Sequence, residues 1–203
     1  MEIRRASDET VRQTRRVMPT VEDFIRRFAH RDEVDDREAA SFLDRFTSDD
    51  PCDREFDTDA MFAGATEYLG SLPDHEFEVA AQNAFLSASP ETQHRLLTVL
   101  MRALHSRGVT CANMAGFFGH QSAIPSGLSP AQGVNPAQYA KAANFARRQY
   151  PEVLREIVRD QPWIMKAMGA PVLIGALGTV ANRIRERRTP PPVRQRGHRQ
   201  DPT

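Results

Sequence analysis

The residues best suited to nucleophilic chemistry are a cysteine and a histidine in one glycine-rich stretch, Cys111 and His120. A thiol activated by an imidazole is the minimum arrangement for nucleophilic catalysis. The surrounding sequence matches none of the cysteine-protease signatures, and no residue marks itself as a third, orienting group. Cys111 is followed by Ala112 and Met114, which favours a small buried side chain over a nucleophile. The sequence therefore predicts no catalytic cysteine.

Two other patterns resemble parts of metal sites. Four carboxylates alternate along one segment, as the ligands of a calcium loop do: Asp53, Glu55, Asp57 and Asp59. An EF-hand needs glycine at its sixth and glutamate at its twelfth position, where this sequence has Thr58 and Gly64. His94 and His105 lie eleven residues apart on one predicted helix, too far apart for a single ion. With no P-loop or dinucleotide fingerprint either, we expect no metal and no cofactor.

An apolar stretch near the C-terminal end, residues 163–181, suggests two uses. Its one charged residue is Lys166, and the 15 residues that follow carry no charge. A membrane-spanning helix needs about 20 apolar residues, so a run of this length is more typical of a buried helix. Pro171 lies in its middle, where it would kink or restart a helix. The first prediction is therefore a core helix that is interrupted near Pro171.

The second use is contact with an anionic membrane surface. Four arginines follow the apolar stretch, with one acidic residue among them: Arg183, Arg185, Arg187 and Arg188. Trp163 precedes it, and an amphipathic ring suits the boundary between water and lipid. An apolar run followed by clustered arginines is typical of a peripheral anchor. Membrane contact through residues 163–188 is therefore the alternative, and a self-association helix is a third interpretation.

Charge is strongly segregated along the chain, although its formal net charge is zero. Residues 1–31 carry a net charge of +3, residues 32–91 a net of −14 and residues 92–203 a net of +11. Such segregation can serve inside the fold, where the acidic part faces the basic part. It can also serve outside the fold, where each part faces a partner.

The end of the chain, residues 187–203, is rich in arginine and proline and too poor in apolar residues to bury a core, so we expect it to be disordered. Its Arg194 and Arg196 could contact nucleic-acid phosphates, and such binding would weaken steeply with salt. The acidic middle of the chain would repel phosphate. Nucleic acid is therefore the less favoured partner.

Hydrophobic periodicity predicts helices along the chain. Val21, Phe24, Ile25 and Phe28 follow the i, i+3, i+4, i+7 spacing of one buried face. Comparable stripes predict helices over about 36–46, 58–70 and 90–107, and another helix that starts at Pro73. Prolines are expected at the first position of five helices: Pro73, Pro90, Pro136, Pro151 and Pro162. No segment alternates apolar and polar residues as a strand does, so the predicted fold class is all-α.

These elements give a predicted domain organisation with about five N-terminal helices and a smaller C-terminal group. The predicted units are a flexible basic arm (1–19), an acidic helical module (20–107), a Gly/Pro-rich loop or linker (108–135), a C-terminal helical module (136–186) and the disordered tail (187–203). The linker holds five of the chain's 11 glycines, and a connection of that length is usually a functional loop or a linker.

With no catalytic pattern, the function predicted from sequence is that of a non-enzymatic bacterial interaction or scaffold protein. The candidate contact residues are Trp163, Arg183, Arg185, Arg187, Arg188, Arg194 and Arg196. The expected partner is a protein, a second copy of the chain being one candidate, and no small-molecule substrate is evident. Two cysteines cannot build a disulfide framework, and no secretory signal opens the sequence. The expected location is the cytoplasm, peripheral to the inner membrane under the membrane alternative.

Overall fold

The computed structural model describes residues 19–29, 34–110, 113, 116–117 and 134–188, and this part of the chain forms helices and no strand. The predicted all-α fold class is therefore confirmed. In chain order the helices are α1 (Val21–Ala29), α2 (Asp36–Phe46), α3 (Thr58–Ser71), α4 (Asp74–Ser87), α5 (Pro90–His105), α6 (Pro136–Gln149), α7 (Pro151–Asp160), α8 (Ile164–Ala167) and α9 (Ala170–Arg188). A short 3-10 turn, Pro51–Asp53, lies between α2 and α3.

Several predicted features fall outside the described residues. They are most of the basic arm, most of the linker 108–135 with Cys111 and His120, and the tail beyond residue 188 with Arg194 and Arg196. The disordered tail was predicted to begin at residue 187, and this boundary is wrong by two residues, because α9 continues to Arg188. Arginines suit the last turn of a helix, because positive charge there interacts favourably with the helix dipole.

Local signals explain where the helices begin. The Ser89 hydroxyl accepts a hydrogen bond from the Thr92 N–H, and Asn135 forms a reciprocal capping box with Gln138. Pro90, Pro136 and Pro151 occupy the first helical position, as predicted. The predictions for the other two prolines were wrong. Pro73 is the residue before α4. Pro162 lies in the turn before α8, and this turn is closed by a hydrogen bond from the Ile164 N–H to the Gln161 carbonyl.

Phenylalanine rings hold the first two helices together. The Phe24 ring centroid lies 4.9 Å from that of Phe28, 5.3 Å from that of Phe42 and 4.9 Å from that of Phe46. Phe56, from the segment before α3, packs edge-on against Phe46, and the Arg45 guanidinium lies over the Phe56 ring. Edge-on pairs at these centroid distances are a favoured arrangement of aromatic rings. The segment between α2 and α3 is thereby fixed to the core at Phe56.

Helix α9 is the central element of the structure, because it packs against α1, α2 and α3. It crosses α3 closely where Gly64 meets Val180. A methyl group on Gly64 would lie 2.9 Å from the Val180 Cα and 3.0 Å from its backbone nitrogen. These distances are too short for a carbon contact, so glycine at residue 64 sets how closely the two helices approach.

The two predicted modules, 20–107 and 136–186, share one hydrophobic core. Besides the packing of α9, α6 packs against α4, and α7 packs against α3 and α5. The boundaries of the modules stay a prediction, since most of the linker between them is outside the described part of the chain.

The apolar stretch 163–181 contributes to this core. Its buried side chains are Ile164, Met165, Met168, Leu173, Ala176, Leu177, Val180 and Ala181. The chain breaks between α8 and α9 at Gly169, whose φ of 106° favours glycine, and Pro171 follows in the first turn of α9. The interruption predicted near Pro171 is therefore present. Among the described residues, none of the helices has the length and apolar character needed to cross a membrane.

A buried arginine fastens α6 to the turn between α3 and α4. The Arg147 guanidinium donates hydrogen bonds to the carbonyl oxygens of Leu69 (2.9 Å) and Leu72 (2.6 Å) and to the carboxylate of Asp74 (2.7 Å). It also lies over the Phe77 ring, with its central carbon 4.5 Å from the ring centroid. Burial lowers the pKa of Arg147 and the Asp74 carboxylate opposes that effect. An arginine stays charged in either case.

Candidate interaction surface

The arginines predicted as contact residues on α9 are engaged within the protein. The Arg183 guanidinium donates to the Glu67 carboxylate of α3 at 2.7 Å, and that of Arg187 donates to the Asp57 carboxylate at 2.9 Å. Arg188 pairs with Glu22 of α1. Arg185 is exposed on the same helix. Three of the predicted residues therefore tie the end of α9 to acidic groups of the N-terminal helices.

Other pairs between distant parts of the chain follow the same pattern. Lys166 donates to Asp44 at 2.5 Å, and Asp74 accepts from both Arg147 and Arg148 at 2.7 Å. The basic C-terminal part thus neutralises part of the acidic segment 32–91. Of the two uses open for the charge segregation, the first, inside the fold, is realised by these contacts.

The ion pairs at the end of α9 are expected to contribute modestly and in a salt-dependent way. All three have side chains more than a third exposed, and exposed pairs contribute about 0.2–1 kcal/mol each. Combined Arg183→Gln, Arg187→Gln and Arg188→Gln changes should lower the free energy of unfolding by about 1–2 kcal/mol at low salt and by less in 1 M NaCl. Urea unfolding at the two salt concentrations measures this.

The matched control for this prediction replaces Arg102, Arg155 and Arg159 by glutamine. These residues are exposed and make no ion pair within the described part of the chain. The control removes the same charge, so an equal loss of stability in both variants would contradict a role for the pairs.

The pH dependence of stability also tests the pair between Glu22 and Arg188. Glu22's own backbone N–H and then Arg188 lower the pKa of that carboxyl below its ordinary value of 4.5. The pair is therefore formed above pH 4.5 and is lost as the pH falls through the lowered pKa.

Trp163, the other predicted contact residue, lies between α7 and α8 and is half-buried. Its indole Nε1–H donates a 2.8 Å hydrogen bond to the Gln161 side-chain oxygen, and its ring packs against the hydrophobic core. Trp163 and the three paired α9 arginines share no bonding partner: the indole bonds to Gln161, whereas the arginines bond to acidic groups of α1, α3 and the segment before α3.

The stretch from the end of α2 to the first turn of α3, residues 47–59, carries six acidic residues and one basic residue, Arg54; we call it the acidic connector. Three of its carboxylates have structural roles. Asp50 accepts from the Cys52 N–H and caps the 3-10 turn. Asp57 accepts from the Ala60 N–H at the start of α3, and Asp53 pairs with Arg45 at 2.5 Å. The exposed carboxylates of Asp49, Glu55 and Asp59 make no hydrogen bond or ion pair with any described residue.

The cysteine in the acidic connector is a poor nucleophile. Cys52 is exposed, and its N–H donates to the Asp50 carboxylate at 2.8 Å. That hydrogen bond lowers the pKa of Asp50, and the carboxylate in turn raises the pKa of the Cys52 thiol. Because the thiolate is the reactive form, a raised pKa makes the thiol less reactive at neutral pH.

No metal centre forms among the described residues, where no three or more His, Cys, Asp or Glu side chains are grouped to hold an ion. His94 and His105 both lie on α5, and His105 is exposed. His94 is half-buried, and its Nδ1 is enclosed without a hydrogen-bond partner in the described part of the structure. The Cys111–His120 pair is outside the described residues.

Comparison of the chain with protein-family models, curated proteins and solved structures finds no match. A functional proposal for this chain therefore starts from its own surface.

Proposed function

We propose that this chain is a non-enzymatic interaction protein that binds a basic segment of a protein partner through the acidic connector. The observation that carries the proposal is the set of three exposed carboxylates without a partner there: Asp49, Glu55 and Asp59. Carboxylates that face solvent and lie close along the chain attract Lys and Arg side chains, and they steer an approaching partner.

The fixed backbone of the acidic connector supports this role. Phe56 is buried in the aromatic core, the 3-10 turn is capped by Asp50, and Arg45 pairs with Asp53. Carboxylates on a backbone fixed at several points lose little conformational entropy when a partner binds. The connector backbone therefore holds the three residues with free carboxylates at fixed positions on the surface.

The two surfaces predicted from sequence receive unequal support. A basic surface on α9 is disfavoured, because Arg183, Arg187 and Arg188 already bond to acidic side chains. An acidic partner would have to break these pairs. The free carboxylates of the acidic connector make no such pair with a described residue, and they outnumber its one arginine, Arg54, so we assign recognition to the acidic side of the molecule.

We expect an arginine-rich peptide to bind the connector in a salt-dependent way. The probe is a labelled synthetic peptide with the sequence of residues 189–203, which contains three arginines and one aspartate. Because this peptide is part of the chain itself, its binding would also support a second copy of the chain as the partner. Combined Asp49→Asn, Glu55→Gln and Asp59→Asn changes should weaken binding by about tenfold, because each exposed charge pair contributes about 0.2–1 kcal/mol. Fluorescence anisotropy at low salt measures the dissociation constant.

The control for this experiment neutralises three exposed carboxylates elsewhere: Glu76→Gln, Asp160→Asn and Glu186→Gln. It changes the net charge by the same amount and leaves the connector intact. The proposal requires a much smaller effect from this control. Equal weakening by both variants would mean attraction to overall charge, and no binding by the unaltered protein at low salt would overturn the proposal.

The membrane alternative has less support from the structure. The apolar side chains that an anchor would insert, such as Leu173, Leu177 and Val180, are buried in the core. The arginines that would meet anionic lipid headgroups are paired within the protein. Exposing that apolar face would cost about 1.5–3 kcal/mol for each large side chain.

A flotation assay tests the membrane alternative directly. We expect the intact chain to stay in the soluble fraction with vesicles of neutral lipid and with vesicles containing anionic lipid. Flotation with anionic vesicles alone would revive the membrane interpretation. Flotation that disappears when residues 189–203 are removed would assign it to the tail rather than to α9.

A further inference from the structure

We draw no further inference here: the strongest candidate, the groove between α1, α3 and α9 lined by Phe28, Val34, Tyr68, Ile174 and Gly175, carries none because nothing in the structure shows what covers it.

Discussion

Replacing Arg147 by alanine is expected to lower the free energy of unfolding by about 2–4 kcal/mol. The change removes the donor for the buried Leu69 carbonyl and for the Leu72 carbonyl, and an unsatisfied buried acceptor is costly. It also removes the packing of the guanidinium on Phe77. The cost stays below that of breaking a fully buried ion pair, because Asp74 is 39% exposed and retains Arg148. Urea unfolding, followed by circular dichroism and by Trp163 fluorescence, measures it.

Arg148→Ala is the matched control, since Arg148 pairs with the same carboxylate from a largely exposed position. Its loss should cost less than about 1 kcal/mol. Arg147→Lys covers the case in which the alanine variant does not fold. Lysine keeps the charge but cannot reproduce the planar fork that reaches two carbonyls and a carboxylate, so it should lie between the wild type and alanine. Equal stability of the Arg147 and Arg148 alanine variants would show that the buried network contributes nothing.

Replacing Gly64 by alanine is expected to lower the free energy of unfolding by about 1–3 kcal/mol, although alanine is the better helix former. The added methyl group would meet the backbone of α9 at Val180, and a backbone cannot turn aside as a flexible side chain can. The two helices must separate, and α9 then loses contact with its neighbours. Thermal and urea unfolding of the variant measure the loss.

Gly70→Ala provides the control on the same helix. A methyl group at residue 70 would meet no atom within 4 Å. The change should leave stability unaltered or raise it by up to about 1 kcal/mol through helix propensity. Opposite signs at the two glycines are the expected signature of a close helix crossing. A Gly64→Ala variant as stable as Gly70→Ala would contradict it.

Local pattern was enough to predict most of the fold. The apolar side chains that repeat at helical spacing in α2 and α5 are buried in the structure, including Phe42, Phe46, Leu96 and Leu100. A helix reports its buried face through a short repeat, so these elements can be assigned from neighbouring residues alone. A proline is a less reliable sign of the first helical residue, because it can also lie in the turn before the helix, as Pro162 does.

The contacts that decide packing were not predictable, because they join residues far apart in sequence. Nothing near Arg147 distinguishes it from Arg148, yet one is buried and the other exposed. Its acceptors lie more than 70 residues away. Gly64 reads in the sequence as a weak helix former, and its importance depends on Val180.

The sequence shows that the chain has an acidic part and a basic part, but it does not show which part has free charges on the folded surface. Net charge along the chain predicts an acidic and a basic part, and the sequence favours Trp163 and the arginines of the basic part as contact residues. Whether a charge is free depends on which groups the fold brings beside it. The arginines of α9 pair with Glu67, Asp57 and Glu22 only when α9 is packed in the fold. The carboxylates that remain unpaired can therefore be identified only from the structure.

The central place of α9 also constrains the order of events during translation. The helix that fills the middle of the core comes after every other described helix in the chain, so α1, α2 and α3 leave the ribosome without the element that covers them. Until residues 170–188 have been synthesised, the nascent chain exposes apolar faces of these helices, a state prone to aggregation and suited to chaperone binding. Folding to the final core is therefore a late event, completed by the closure of contacts between the two ends of the described chain.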